Sequence, residues 1–320
     1  MIKAFGVDVG GTNLKFGAFD ENGVLAEKWI RTTDAEDGGS RIIPDIVGEI
    51  GCFMKENNVE EKDIVGIGLG IPGPVDGNGH VRSCVNLHWN DFDPAKELRK
   101  FYRTMDIAVE NDANAAAFGE YCQGAGKRYR TMMLVTLGTG VGGGIVADGH
   151  IWRGAHGIAG EIGHIPSGIA AKTNCNCGKR GCIDQFASAT GIVRVMKEIL
   201  LERGLAPEEY FAQDVTAKTI CQMANKGDLL AKRCLDICLG ALGRGLAVFS
   251  NAFDPEEFII GGGVSGAGEL IIPIIESAYR ENLSLTDKGA DIRCAALGND
   301  AGVTGAGNLV LARRKYGYCL

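Results

Sequence analysis

The 320-residue chain has no uninterrupted run of about 20 uncharged apolar residues, so no bilayer-spanning helix is expected. Its opening, "MIKAFGVDVGG", lacks a basic start followed by a long apolar run and does not read as a secretory signal. No long basic run occurs, and the formal net charge is −7. Nucleic acid and anionic membrane are therefore not expected as partners. Pro- or Ser-rich linkers and low-complexity segments are also missing, so no loose tether marks a domain boundary. Two nucleotide motifs are absent as well. There is no G-x-x-x-x-G-K-[ST], and no G-x-G-x-x-G opens a helix after the first strand, which removes the P-loop and Rossmann readings.

What the chain does have is glycine, 48 residues of it, gathered in clusters. Clustering suits tight turns and close backbone approach better than disorder. Apolar residues make up 45%, enough for a sizeable core in two ordinary domains or one large one. Cysteine occurs 11 times, an odd count. Without an export signal the expected setting is a reducing cytoplasm, where disulfides do not persist. Cys52, Cys84, Cys122, Cys221, Cys234, Cys238, Cys294 and Cys319 are scattered, and each reads as a small core hydrophobe or a surface thiol. The stretch "HIPSGIAAKTNCNCGKRGC" differs. It spaces His164, Cys175, Cys177 and Cys182 as His-x10-Cys-x-Cys-x4-Cys, with glycines for a loop that folds back. Three thiolates and one imidazole complete a closed tetrahedral shell, which points to structural Zn2+ with no open position for water.

The element order predicts an α/β protein. "IKAFGVDVG", "NLKFGAFD" and "VLAEKWIRTT" read as strands separated by "GGT" and "ENG" turns. A helix near 41–57, a strand in "IVGIGLGIPG", a helix in "DFDPAKELRKFY" and a strand "IAVEND" running into a helix "ANAAAFGEYC" follow. The order then begins again. "TMMLVTLGTGVGGGIVADGHIW" reads as two strands around a glycine-rich turn, with helices about 184–203, 215–226 and 228–252. "EFIIGGGVSG" is a strand, "ELIIPIIESAYREN" a helix, "DIRCAALG" a strand and "GVTGAGNLVLARRKYG" a closing helix. Two α/β halves with mixed sheets fit this pattern, and the similar placing of "VDVGGTN" and "TLGTGVGGG" suggests internal duplication. Element order puts a boundary near 118, within 105–125. It gives a small domain 1–118, completed by the C-terminal helix at about 303–320, and a large domain 119–302 carrying the metal loop.

Three glycine turns and a few carboxylates carry the chemistry. In "DVGGTN", Gly10 and Gly11 let the backbone approach an anion, Thr12 adds a hydroxyl, and Asp8 near phosphates calls for a cation such as Mg2+. Alone, this turn reads equally as a hairpin. "LGTGVGGG" (137–144) and "IGGGVSGAG" (260–268) are two more such turns, each after an apolar strand, and together the three suggest a nucleotide held between domains. In "ENDANAAAFGE", Asn111 and Asp112 stand where a strand ends and a helix begins. A carboxylate there accepts the proton of an attacking hydroxyl, or it caps the helix. "HGIAGEIGH" places Glu161 beside His164, whose second ring nitrogen is free to orient a hydroxyl. Carboxylates and amides facing a small polar cleft suit a sugar.

With these residues assembled, the chain resembles the ROK family of sugar kinases, most of all its bacterial glucokinase branch. The resemblance runs over essentially the whole length through "DVGGTN", "IPGPVD", "ENDANAAAFGE", "TLGTGVGGG", "GEIGH", "CNCGKRGC" and "IGGGVS", in the family's order. It implies the two-domain actin-like, hexokinase-like ATPase fold of duplicated ribonuclease-H-like halves closing on ATP and sugar. Asp112 matches the catalytic base, and Asn111, Asp112, Glu161 and His164 match the sugar ligands; Asn86, in the loop "SCVNLHW", is read apart from the resemblance as a candidate extra sugar contact. His164, Cys175, Cys177 and Cys182 match the zinc ligands. Asp8 serves the cation, Gly10, Gly11, Thr12 and Asn13 with Gly138, Thr139, Gly140 and Gly142 match the phosphate-binding segments, and Gly262 and Gly263 lie where the family holds adenosine. One position departs. Two residues after the last zinc cysteine the family usually has a sugar-contacting Glu, and this chain has Asp184, one methylene shorter.

The implied activity is ATP-dependent phosphorylation of a hexose 6-hydroxyl, with glucose as substrate, Mg2+ on the phosphates and Zn2+ as a structural ion. Fructose, mannose, allose, N-acetylmannosamine and N-acetylglucosamine are alternatives. A sugar-sensing repressor is a rival from another class, but it would need a DNA-binding motif before the first strand, and "VDVGGT" falls within the first dozen residues. An iron–sulfur ATPase activator is a second rival, separable by metal content and colour. A cytoplasmic homodimer or larger homo-oligomer is expected.

Overall fold

A computed structural model of the chain describes residues 1–211 and 214–316. Cys319 and the last residues of the expected 303–320 segment lie outside the described residues. The chain divides into two compact units, one of Met1–Arg130, Gly144–Ala159 and the residues from Ala296, the other of Thr131–Gly143 and Gly160–Ala295.

Seven strands form in the first part of the chain: β1 (Ile2–Val9), β2 (Asn13–Asp20), β3 (Leu25–Thr32), β4 (Gly66–Ile71), β5 (Val81–Cys84), β6 (Trp89–Phe92) and β7 (Asp106–Asn111). Five make a mixed sheet in the order β3-β2-β1-β4-β7, with β1 antiparallel to β2 and parallel to β4, and β4 parallel to β7. The β5–β6 pair is a separate antiparallel ribbon.

Period-two alternation gives the sheet two unlike faces. Phe5, Val7, Val9, Ile67, Leu69 and Ile71 form one core with Ile42, Ile46, Ile50 and Phe53, which recur at helical spacing on Ile42–Glu56. The intervening residues are Gly6, Asp8, Gly66, Gly68 and Gly70. A β-carbon at Gly6 would strike the carbonyl oxygen of Val303, and one at Gly68 that of Ala306, both on the helix Ala301–Tyr316. That helix also packs on Asp112–Gln123, where β-carbons at Gly119 or Gly305 would meet the backbone of the facing helix. The boundary read near 118 falls inside Asp112–Gln123. The geometric division lies at Arg130, because this helix packs along the C-terminal one.

The remaining strands are β8 (Thr131–Leu137), β9 (Val141–Ala147), β10 (His150–Ile151), β11 (Glu257–Gly261) and β12 (Asp291–Cys294). They form a second sheet, β10-β9-β8-β11-β12, with β11 parallel to β8 and β12 and β10 antiparallel to β9. Counted along the chain, both sheets read third-second-first-fourth-fifth, so one topology occurs twice.

The stretch expected as one helix over 184–203 is two, Asp184–Ala187 and Ala189–Glu202. Ser188 breaks it: its hydroxyl donates to the Asp184 carbonyl at 2.6 Å and accepts from the Gly191 N–H at 3.0 Å, capping the second helix. Among the described residues, the helix Leu229–Phe253 is long and apolar enough by composition to cross a membrane, and 67% of its apolar window is buried in the protein. Leu235, Leu239, Leu242 and Leu246 are among its buried side chains, which makes it a core helix here. Every cysteine among the described residues is a free thiol.

Candidate active site and metal centre

In the first unit the candidate side chains Asp8, Asn111 and Asp112 lie at the carboxyl ends of β1 and β7, beside the end of β4, the end at which open α/β sheets bind ligands. Asp8 pairs in register with Gly70 of β4, and Asn111 with Ile71. A β-carbon built on Gly70 would lie 3.8 Å from the Asp112 α-carbon and 4.0 Å from Asp8 Oδ1, so the missing side chain lets two carboxylates face one space. Asp8 also lies close to Gly302 at the start of the C-terminal helix, and Lys15 Nζ pairs with its Oδ2 at 3.0 Å. Beyond β1 the turn exposes Gly11, Thr12 and Asn13. It is closed by Gly10 N–H to Asn13 O at 3.0 Å, Thr33 N–H to Thr12 O at 2.9 Å and Thr33 Oγ1 to Gly10 O at 2.6 Å. Asn86 lies against this turn, its β-carbon 3.2 Å from where one on Gly11 would be.

Asn111 caps the helix Asp112–Gln123: its Oδ1 accepts from Ala113 N–H at 3.0 Å and Asn114 N–H at 3.1 Å, and its Nδ2 donates to Gly73 O at 3.1 Å. The capping role weighed for either residue thus belongs to Asn111, with Asp112 Oδ1 accepting from Ala113 N–H at 2.8 Å. Burial pushes the Asp112 carboxyl up to about 6, against the lowering effect of that N–H, and the nearby Asp8 charge adds to the rise. A carboxyl in this range is a base near neutrality.

Behind this pair sits Glu110, fully buried and ion-paired with Arg153. Glu110 Oε1 accepts from Asn111 N–H at 2.9 Å and from Asn114 Nδ2 at 3.0 Å. Sequence reasoning missed both partners. The available signal was a glutamate at the end of the apolar run "IAVEN", since an acid on a buried strand needs a partner.

In the second unit the turn between β8 and β9 carries Gly138, Thr139 and Gly140. Gly138 and Thr139 line a cavity of about 1000 Å³ together with Gly263, Lys218, Gln222 and Asn225. Gly262 has φ +84°, and a β-carbon there would lie 2.6 Å from Leu137 O, so glycine joins the ends of β8 and β11 closely. Gly142 lies inside β9, not in the turn. Asp184 does not stand free for a ligand at both oxygens: its Oδ1 accepts from Val141 N–H at 2.7 Å.

One nitrogen of His164 and the sulfurs of Cys175, Cys177 and Cys182 all lie within 4.8 Å of one another. Cys175 Sγ is 3.6 Å from His164 Nδ1, and Cys177 Sγ is 3.6 Å from Cys182 Sγ. Tetrahedral zinc with Zn–S bonds of about 2.3 Å needs sulfurs about 3.8 Å apart, so the four residues fit such an ion. The Lys179 N–H lowers the Cys177 thiol, while burial pushes Cys182 up to about 12, and a thiolate at Cys182 calls for a cation beside it. The other ring nitrogen, His164 Nε2, is 3.9 Å from Glu161 Oε2, and both side chains are exposed.

Two sheets of one repeated strand order, each with a glycine turn between its first two strands, make the actin-like ATPase fold. A sequence model of the ROK family matches residues 4–313, and the chain belongs to that family. It is 41% identical over 313 residues to a glucokinase of Halalkalibacterium halodurans, covering 95% of this chain and 94% of that one. It is 35% identical over 327 residues to a glucokinase of Thermotoga maritima, covering 98% of each. Among solved structures, a ROK family glucokinase from Streptomyces griseus in complex with glucose and AMPPNP matches with a TM-score of 0.73 and 32% identity. That match covers 96% of this chain and 98% of the other.

Proposed function

We propose that this protein is an ATP-dependent glucokinase that transfers the γ-phosphoryl group of ATP to the 6-hydroxyl of glucose. The observation that carries the reading is the Asp112 carboxyl at the end of β7, raised to about 6 and held by a cap that leaves it facing Asp8. Asp112 accepts the proton of the attacking hydroxyl, a contribution of roughly 10²–10⁴ in rate. Asn111, Asn86, Glu161 and His164 bind the sugar hydroxyls. The turns at 10–13 and 138–140 meet the phosphates through backbone N–H groups, and the cavity beside Gly263 takes the adenosine. Phosphoryl transfer leaves little covalent work to the protein, so alignment and charge placement dominate. Asp8 would help hold Mg2+, which supplies neutralisation of phosphate charge. His164, Cys175, Cys177 and Cys182 would hold Zn2+, which supplies a fixed cross-link for the loop presenting His164 and Glu161. Glu110 and Arg153 keep Asn111 and Asn114 in place behind the base.

The full-length similarity to two glucokinases supports glucose as acceptor. The reading carries with it a place in glycolytic carbohydrate metabolism, a cytoplasmic setting and a homodimer or larger homo-oligomer. A coupled kinase assay over glucose, fructose, mannose, allose and the two N-acetylhexosamines, with ATP as donor, tests it. Glucose should give the highest kcat/KM, and preference for any other acceptor would overturn the assignment.

A further inference from the structure

The segment Asp184–Thr190 holds the nucleotide turn at Gly138, Thr139 and Val141. Asp184 Oδ1 accepts from Val141 N–H at 2.7 Å. Ala189 N–H donates to Gly138 O at 2.8 Å, and Thr190 Oγ1 donates to Thr139 O at 2.8 Å. Gly140 completes the fit, because a β-carbon there would sit 2.8 Å from Asp184 Oδ1. Gly138 N–H is itself committed to Gly140 O at 2.9 Å. The peptides at Thr139 and Gly140 are thereby fixed in orientation between two anchored N–H groups.

We propose that Asp184 is a positioning residue for the phosphate-binding turn, not the sugar ligand that the family resemblance implies at this place. The inference rests on the kinase reading above and deepens it. Side-chain length decides the role. An aspartate reaches the Val141 N–H with a charge-assisted hydrogen bond, whereas a glutamate carries its carboxylate one methylene further and overshoots that amide. Asp184 follows Cys182 by two residues, and Ile183 N–H is tied to Ile165 O at 2.9 Å, one residue after His164. The same short stretch therefore joins the metal cluster to the nucleotide turn.

The test uses Asp184→Ala, Asp184→Asn and Asp184→Glu, with KM for each substrate from steady-state kinetics and AMPPNP affinity from calorimetry without sugar. Asp184→Ala and Asp184→Glu should weaken AMPPNP binding and raise the KM for ATP about 10-fold, the scale of one hydrogen bond to a charged group. The KM for glucose should move less than about 2-fold on the same scale. Asp184→Asn keeps an oxygen acceptor and should recover most of the nucleotide affinity. A 10-fold rise in the glucose KM for Asp184→Ala and Asp184→Asn, with AMPPNP affinity unmoved, would overturn the proposal. Asp184→Glu keeps the test valid if Asp184→Ala folds poorly. A wild-type chain that binds AMPPNP but ignores glucose would fail the glucokinase reading alone, leaving the calorimetric arm to judge Asp184.

Discussion

Asp112→Asn separates the chemistry of this side chain from its structure. Burial raises the Asp112 carboxyl from 3.8 to about 6, so the charged form carries a penalty of about 3 kcal/mol in the folded protein. The sign follows from linkage. The folded-state value lies above the unfolded one, so stability from this group is fully present below pH 3.8 and is lost as pH rises through about 6. At pH 7 the wild type bears the whole cost. Asparagine carries no charge and can still accept the Ala113 N–H that Asp112 Oδ1 accepts at 2.8 Å. The variant should therefore be more stable at pH 7 by up to about 3 kcal/mol, with the gain shrinking towards pH 4. Its turnover should fall by roughly 10²–10⁴ while glucose affinity holds. Wild-type turnover should itself drop about tenfold between pH 7 and pH 5 as the base is protonated around its value of about 6. Urea unfolding at pH 7 and pH 4, with coupled kinetics over the same range, reads all of these. An inactive variant that is also less stable at pH 7 would refute the reasoning, since the lost activity would then follow from a collapsed site. Undiminished turnover would remove Asp112 from the base role.

Three further outcomes follow from the same geometry. Arg153→Met leaves the fully buried Glu110 without its guanidinium and should destabilise the first unit by about 3–5 kcal/mol, with Glu110→Gln added on top restoring part of that in urea melts. Gly68→Ala puts a methyl into the Ala306 carbonyl and should cost at least about 1–3 kcal/mol, with activity falling because the C-terminal helix can no longer lie close to Asp8; an unchanged midpoint would contradict the packing described. Cys177→Ser should take bound zinc from about one ion per chain to none by elemental analysis, and retention of the ion would show that the ligand set is wrong.

Much of this was legible because the signals were local. "GIGLGI" shows its two faces in the text itself, with glycine and a large apolar residue taking turns along β4. The clustering of His164, Cys175, Cys177 and Cys182 was readable because the four fall within 19 positions. What escaped was set by distance or by compensation. Glu110 and Arg153 are 43 residues apart, and neither names the other. The β5–β6 ribbon hid in "VRSCVNLHWNDF" because His88, not a glycine, closes the connection at φ +55°, and Asp91 at φ +52° interrupts the extended backbone of β6 itself. The break at Ser188 was invisible because helical periodicity continues on both sides, and the interruption is one residue of extended backbone (ψ 161°) whose hydroxyl caps the helix that follows.

The repeated sheet also explains why two glycine turns need help from elsewhere in the chain. Each lies between the first and second strands of its sheet, and each accepts a threonine hydroxyl from outside the turn. In the first, Thr33 supplies the anchor, its hydroxyl donating to Gly10 O at 2.6 Å. In the second, Thr190 does the same for Thr139 O at 2.8 Å. The anchors come from different places: Thr33 directly follows β3, a strand of the same sheet, whereas Thr190 comes from the segment that leaves the metal cluster. The first half had only to keep its turn still beside Asp8. The second half ties its turn to the loop that carries His164, through Val141 N–H on Asp184 Oδ1 at 2.7 Å, Ala189 N–H on Gly138 O at 2.8 Å and the Thr190 hydroxyl on Thr139 O at 2.8 Å.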